Sequence, residues 1–192
     1  MKQKISCLLL IFCFINPAYA NNFGEGRDTN SVQAVQSLEA YAKYKMGQYE
    51  EARHIWLMLA EKNNTSAIIN LANIYEQGQG VERDLVKSVE WLMKAAELND
   101  TRGQYQLAMA YEKGLGVERN LDQAAYWLRK AAEQGDGTAQ FNLGVMLATN
   151  YGEGLTTSSY KQRVKALEWL KKADASGIED AADFLQLLST MM

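Results

Sequence analysis

Residues 65–100 read TSAIINLANIYEQGQGVERDLVKSVEWLMKAAELND, and residues 101–136 read TRGQYQLAMAYEKGLGVERNLDQAAYWLRKAAEQGD. Laid over one another without a gap, the two stretches are identical at 18 of 36 positions. Self-similarity at a fixed period of this length marks an architecture in which one supersecondary unit is stacked on copies of itself. The tryptophans extend the register in both directions. Trp56, Trp91, Trp127 and Trp169 stand 35, 36 and 42 residues apart, and every Trp of the chain falls in the same slot.

Each unit divides into two helices. Ala67, Leu71 and Tyr75 lie four apart and form one apolar stripe. Gly78 and Gly80 then end the first helix, because glycine takes the positive φ that a helix C-terminus and a tight loop require. Val81 is the apolar plug of the loop. Asp84 is placed to N-cap the second helix, as is Asn120 one period later. The second helix carries Trp91 and the Ala95-Ala96 pair. Small residues (Ala72, Ala108 and Gly144) let paired helices approach, and the Trp is expected to fill the wedge between them. A Trp buried in this way is worth about 3–5 kcal/mol against alanine.

The pattern A-x-x-x-L-[GA]-x-x-Y-x-x-G-x-G-V-x-x-[DN]-x-x-x-[AS]-x-x-W-x-x-x-A-A resembles the Sel-1-like repeat, a relative of the tetratricopeptide repeat. The resemblance implies an all-α chain, a right-handed α-α solenoid of helix-turn-helix units. On this reading residues 31–64 are a shorter first unit of tetratricopeptide type, in which Gly47-Gln48-Tyr49 leads to Ala52 and Trp56. Residues 65–100 and 101–136 are full units, 137–177 a unit with an insertion, and 178–192 a closing helix with Ala181 and Leu185 in register. The fourth unit keeps Ala139, Leu143, Gly144, Gly152, Gly154, Ala166, Trp169 and Ala173. It has Leu147 in place of the Tyr and six extra residues around its loop, 149–162, which passes through Tyr151 and Thr156 to Tyr160. That loop is the segment most particular to this chain.

The first twenty residues, MKQKISCLLLIFCFINPAYA, read as a signal peptide. Lys2 and Lys4 form a basic n-region, Ile5 to Ile15 an apolar run, and Ala18-Tyr19-Ala20 a small-x-small cleavage site. Eleven residues are too few to span a bilayer, which takes about 20. Ile11-Phe12 before Cys13 is too bulky for a lipobox. The site resembles a bacterial one, so the Asn63, Asn64 and Asn99 sequons, relevant only to a eukaryotic secretory route, carry no weight. Residues 21–30 are expected to be a flexible leader. Cleavage removes both cysteines (Cys7 and Cys13) and the only proline, Pro17, and leaves 172 residues with 18 basic and 23 acidic side chains. Such a chain cannot use disulfides and is held by its core. The expected location is periplasmic or secreted.

Function classes narrow from here. An acidic balance without a Lys/Arg stripe argues against nucleic acid, and one His is too little for a zinc cluster. No cofactor or metal site is expected. The sole histidine, His54, is expected on a partly buried helix surface. The acidic pairs Glu50-Glu51 and Glu179-Asp180 diverge around their helices. The two G-x-G pairs follow helices rather than strands, so they are loops and not phosphate cradles. Cysteine-rich exported members of the family are credited with β-lactam binding, but their paired cysteines are absent here and that property is not carried over. The remaining expectation is a non-catalytic interaction module of the bacterial cell envelope, binding a protein or peptide in a groove along the first helices. A helical wheel assigns Ile69, Asn73, Tyr105, Met109, Phe141 and Val145 to that groove, with Glu76 and Glu112 one turn on. Ser66, Arg102 and Thr138 lie at its near end. The competing assignment packs Ile69, Tyr105 and Phe141 between neighbouring units. Two other functions stand beside the adaptor: an immunity-type inhibitor that neutralises a toxic effector, reaching into it with loop 149–162, and, behind both, a hydrolase. The tail Leu187–Met192 is apolar for a chain end, either a cap or a contact.

Overall fold

A computed structural model describes residues 29–150 and 159–190. Residues 1–20, read above as a signal peptide, most of the expected leader 21–30, residues 151–158 of the insertion and the last two residues of the tail lie outside the described residues. Among those described, the regular elements are nine α-helices: α1 (Thr29–Lys45), α2 (Tyr49–Ala60), α3 (Thr65–Gln77), α4 (Leu85–Glu97), α5 (Thr101–Lys113), α6 (Leu121–Glu133), α7 (Gly137–Ala148), α8 (Tyr160–Ala175) and α9 (Glu179–Thr190). Each packs on the next in the chain, with weaker contacts between α3 and α5 and between α7 and α9. This is the helical solenoid expected from the repeat. The leader gives way to helix at Thr29, two residues earlier than the sequence reading has it.

The caps recur with the period. Asp84 and Asn120 accept from the backbone N–H of Lys87 and Gln123, both at 3.0 Å, as expected for N-caps. Asn64, Asp100 and Asp136 cap α3, α5 and α7 in the same way. Gly78 and Gly114 close the first helices at φ +70° and +68°. Behind them Arg83 and Arg119 reach back, each donating through Nε to a carbonyl of the helix just ended, Glu76 O at 2.8 Å and Glu112 O at 3.0 Å. The turns between units likewise each hold one left-handed residue: Asn63, Asn99, Gly135 and Gly177.

The second glycine of each G-x-G has a packing reason. A Cβ on Gly80 would lie 2.6 Å from Tyr49 Cβ, and one on Gly116 would lie 2.1 Å from Leu85 O. The loop of one unit therefore sits directly on the first residue of the second helix of the unit before. Close helix approach is seen at Gly144, where a Cβ would meet Leu170 Cγ at 2.7 Å.

Burial of the tryptophans differs from expectation. Trp56 is buried at 2% exposure, but Trp91, Trp127 and Trp169 are half-buried. Lys94 and Lys172 lie over the rings of Trp91 and Trp169, with Nζ 5.6 Å and 4.1 Å from the centroids. The deeply buried position of the later units is the residue after each Trp: Leu92, Leu128 and Leu170. The core is thus an Ala/Leu core, and the indoles form its edge.

The insertion of the fourth unit partly lengthens a helix. Trp91 and Trp127 are the seventh residues of α4 and α6, while Trp169 is the tenth of α8. Residues 160–162 of the expected loop are accordingly the first turn of α8, closed by a Ser159/Gln162 capping box. Gln162 Nε2 also donates to Asn150 Oδ1 at 2.8 Å and ties the two ends of the insertion together.

Candidate functional site

Two clefts of similar size lie between successive units. The first, about 250 Å³, is lined by Asn73 and Glu76 of α3, by Leu85, Val89 and Leu92 of α4, and by Gln106, Met109 and Lys113 of α5, among others. The second, about 270 Å³, is lined by Met109, Glu112, Arg119, Leu121, Asn142, Val145, Met146 and Thr149. Shifting the first by 36 residues reproduces much of the second: Asn73 becomes Met109, Glu76 becomes Glu112, Leu85 becomes Leu121, Gln106 becomes Asn142 and Met109 becomes Val145. Met109 belongs to both. The site therefore repeats with the fold.

Each cleft combines an apolar wall with one carboxylate at its edge. Among the described residues neither Glu76 nor Glu112 forms a salt bridge. Each cleft is smaller than the 300–1,000 Å³ usual for a cofactor or drug-sized ligand. It suits an inserted side chain, with the carboxylate free to meet a cation beside it.

Five of the residues assigned to the groove line these clefts: Asn73, Glu76, Met109, Glu112 and Val145. The others do not. Ile69 is 5% exposed and belongs to the core, which corrects its assignment to the groove. Tyr105 is half-buried, and its hydroxyl accepts from Asn142 Nδ2 at 3.2 Å. Phe141 is half-buried edge-on to Phe184 of α9, with centroids 6.2 Å apart. These three pack between units, as the competing assignment held. Arg102 is exposed and donates to Ser66 Oγ at 3.1 Å and to Asp100 Oδ2 at 3.4 Å, linking two neighbouring repeats. Asp100 is held below the ordinary carboxylate range. Burial pushes it up, but the Thr65 hydroxyl, the Gly103 N–H and Arg102 outweigh that.

At the turns between the later units a polar ladder joins neighbouring repeats. Gln104 Nε2 donates to Ala96 O at 3.3 Å and to Asn99 Oδ1 at 3.0 Å, and Gln134 Nε2 donates to Gln104 Oε1 at 2.7 Å. One period on, Gln140 Nε2 donates to Ala132 O at 3.1 Å, and Ser176 Oγ donates to Gln140 Oε1 at 3.2 Å. The buried Gln104 and Gln140, 36 residues apart, thereby each satisfy a carbonyl at the end of the preceding second helix, where the unit before them has Ile68. Sequence reasoning missed this ladder and the walls supplied by Leu85 and Leu121. The common signal in both cases is identity or similarity at a spacing of 36.

His54 is exposed and borders a shallow depression with Glu39, Lys43, Glu50, Glu51 and Ile55, where Lys43 is paired with Glu51 at 2.5 Å. Among the described residues no group of three or more His, Cys, Asp or Glu side chains could hold a metal ion, and no helix is long and apolar enough to cross a membrane.

Fold and clefts together define a helical-repeat protein whose surface features come from the stacking of units. The Sel1 repeat model matches residues 65–100, 101–136 and 137–173, and the chain belongs to the Sel1 repeat family. A Sel1 repeat protein from Oxalobacter formigenes is similar at 30% identity and a TM-score of 0.68, over 79% of this chain and 60% of that one. The protein c5321, a protective antigen of uropathogenic Escherichia coli with an SLR fold, is similar at 34% identity and a TM-score of 0.63, over 71% of this chain and 28% of that one. This chain thus spans three fifths of the first relative's length and little more than a quarter of the second's. No protein with a curated description matches it. Proteins of this family generally act as non-catalytic modules for protein–protein interaction.

Proposed function

We propose that this protein is an exported adaptor that holds a segment of another protein along α3, α5 and α7, with no chemistry performed on it. The observation that carries this reading is the recurrence of one cleft design at a spacing of 36 residues. Two equivalent pockets in series receive successive side chains of an extended or helical segment, in the manner of anchor residues entering a groove. The apolar walls favour aliphatic anchors. Glu76 and Glu112 favour a Lys or Arg beside them. Placement in the periplasm or outside the cell rests on the basic n-region, apolar run and Ala18-Tyr19-Ala20 site of the first twenty residues.

The test is affinity capture from the envelope extract of the source cell, comparing the natural chain with Met109→Arg. Met109 serves both clefts and is half-buried, so one substitution fills and charges both. Capture is expected to fall at least about tenfold, a loss of about 1.4 kcal/mol in binding, while the circular dichroism spectrum stays helical. Undiminished capture by a folded Met109→Arg would refute the groove. The captured protein also separates two roles, because an effector whose toxicity falls on binding would make this chain an inhibitor of the immunity type.

A further inference from the structure

The described helices are not closed alike at the two ends. Buried small residues, Ala40, Ala72, Ala108 and Gly144, set the register of the first helices against one another. In that register Val35 of α1 corresponds to Ala67, Gly103 and Ala139, all buried. At Gly103 the covering element is visible: a Cβ there would lie 2.5 Å from Ala95 Cβ of α4, the second helix of the preceding unit. Ala42 corresponds likewise to the buried Ile74, Ala110 and Met146. No described helix precedes α1, and on α1 this face is open.

It is also apolar. Ser31, Val35, Leu38, Ala42 and Lys45 are exposed at alternating spacings of four and three, the seam of a coiled coil. Val35 is 64% exposed, Leu38 71%, Tyr41 49% and Met46 67%. Between Ser31 and Ala42 the seam carries no charge. The other end differs in degree: α9 turns Ala182, Asp183, Gln186, Leu187 and Ser189 to solvent, a face with one large apolar side chain among small and polar ones.

We infer that α1 is a joint, and that its occupant is α1 of a second copy of this chain, packed antiparallel about a twofold axis near Leu38. A seam apolar at its centre, at Val35, Leu38 and Ala42, is complementary to itself, and an isologous contact closes after two copies. Head-to-tail stacking would instead set the apolar seam on the less apolar face of α9. On the exported reading, with residues 1–20 removed, the stretch 21–28, NNFGEGRD, keeps a single large apolar side chain, Phe23, too little to cover this face. Val35, Leu38 and Tyr41 expose on the order of 350 Å² per copy, so pairing removes about 700 Å² from them alone, and burial of Ser31, Ala42 and the stem of Lys45 beside them brings the contact towards the roughly 1,000 Å² of a specific interface. Antiparallel pairing brings Val35 opposite Tyr41 and sets each helix C-terminus beside the other's N-terminus, the favourable alignment of helix dipoles.

Sedimentation velocity on the chain from Asn21, from about 1 to 200 μM, decides the matter. A twofold rise in mass across this range is expected. Leu38→Glu should raise the dissociation constant at least about 100-fold, whereas Leu187→Glu on α9 should leave it unchanged. Leu38→Cys on the same chain, which from Asn21 onward has no cysteine of its own, should yield disulfide-linked dimers on mild oxidation. A chain monomeric throughout, a dimer indifferent to Leu38→Glu, or a dimer without cross-linking of the introduced thiols would each overturn the inference.

Discussion

Alanine at Gly116 tests whether the solenoid is held by loops seated on the preceding unit. Two costs add there. The residue is at φ +71°, and an L-residue held in the left-handed region costs about 1–2 kcal/mol. The added Cβ would also lie 2.1 Å from Leu85 O and 2.4 Å from Leu85 C. Both atoms are backbone at the first residue of α4, so no side chain can swing aside. Relief requires the loop to withdraw by roughly 1 Å from α4, an overpacking strain of about 1–3 kcal/mol. The expected total is about 2–5 kcal/mol.

Three other glycines separate the two costs. Gly135 has φ +93° with nothing within 4 Å of its added Cβ, so Gly135→Ala carries backbone strain alone. Gly114 has φ +68° and a nearest contact of 3.3 Å at Arg119 Cβ, so Gly114→Ala should cost little more. Gly80 has φ +68° and a 2.6 Å contact with Tyr49 Cβ, which places Gly80→Ala between the extremes. Urea denaturation followed by far-ultraviolet circular dichroism measures all four. Because each unit contacts chiefly its neighbours, a parted α4–α5/α6 junction should also broaden the Gly116→Ala transition and lower its m-value. If Gly116→Ala and Gly135→Ala agree within about 0.5 kcal/mol, the loop is not seated as described and the argument from the second glycine fails.

Trp56→Ala should cost about 3–5 kcal/mol and Trp127→Ala about half as much, since Trp56 is 2% exposed and Trp127 is half-buried at the edge of the core; equal losses in denaturant titrations would contradict the edge position of the later indoles. Asp100 has a folded pKa below its ordinary value, so its contribution to stability is present above the unfolded value near 3.9 and is lost as pH falls through the folded one. Asp100→Asn should therefore be less stable at neutral pH and lose less stability on acidification below about pH 5, which thermal melts across the acid range would reveal. Parallel acid limbs for the two proteins would count against the Thr65–Asp100–Arg102 arrangement.

The helices and their register were legible because their landmarks are local. Gly78 and Gly114 stop helices through their own φ, and Asp84 and Asn120 cap through a hydrogen bond three residues away. No distant contact is needed to see them. The groove was half legible for a reason of geometry. Ile69, Asn73 and Glu76 share one stripe of α3, and a helical wheel treats them alike because it projects out position along the axis. The neighbouring unit covers only one end of that stripe. Ile69 is therefore buried, Asn73 half-buried and Glu76 exposed, in order along the helix. Tyr105, Met109 and Glu112 are all half-buried but divide in the same order by what they meet: the tyrosine hydroxyl accepts from Asn142, and the other two line clefts.

The far walls of the clefts were beyond any single wheel, because Leu85 and Leu121 lie in second helices while the stripe lies in first ones. The repeat itself supplies the missing relation: when a residue is compared with its counterpart 36 positions on, their difference marks where one cleft departs from the next. Asn73 against Met109, and Lys113 against Thr149, are the departures here. They make the first cleft more polar and the second more apolar. A bound segment read by both should then carry a polar side chain at the α3 end and an aliphatic one toward α7, an orientation that reversal of the segment would not satisfy.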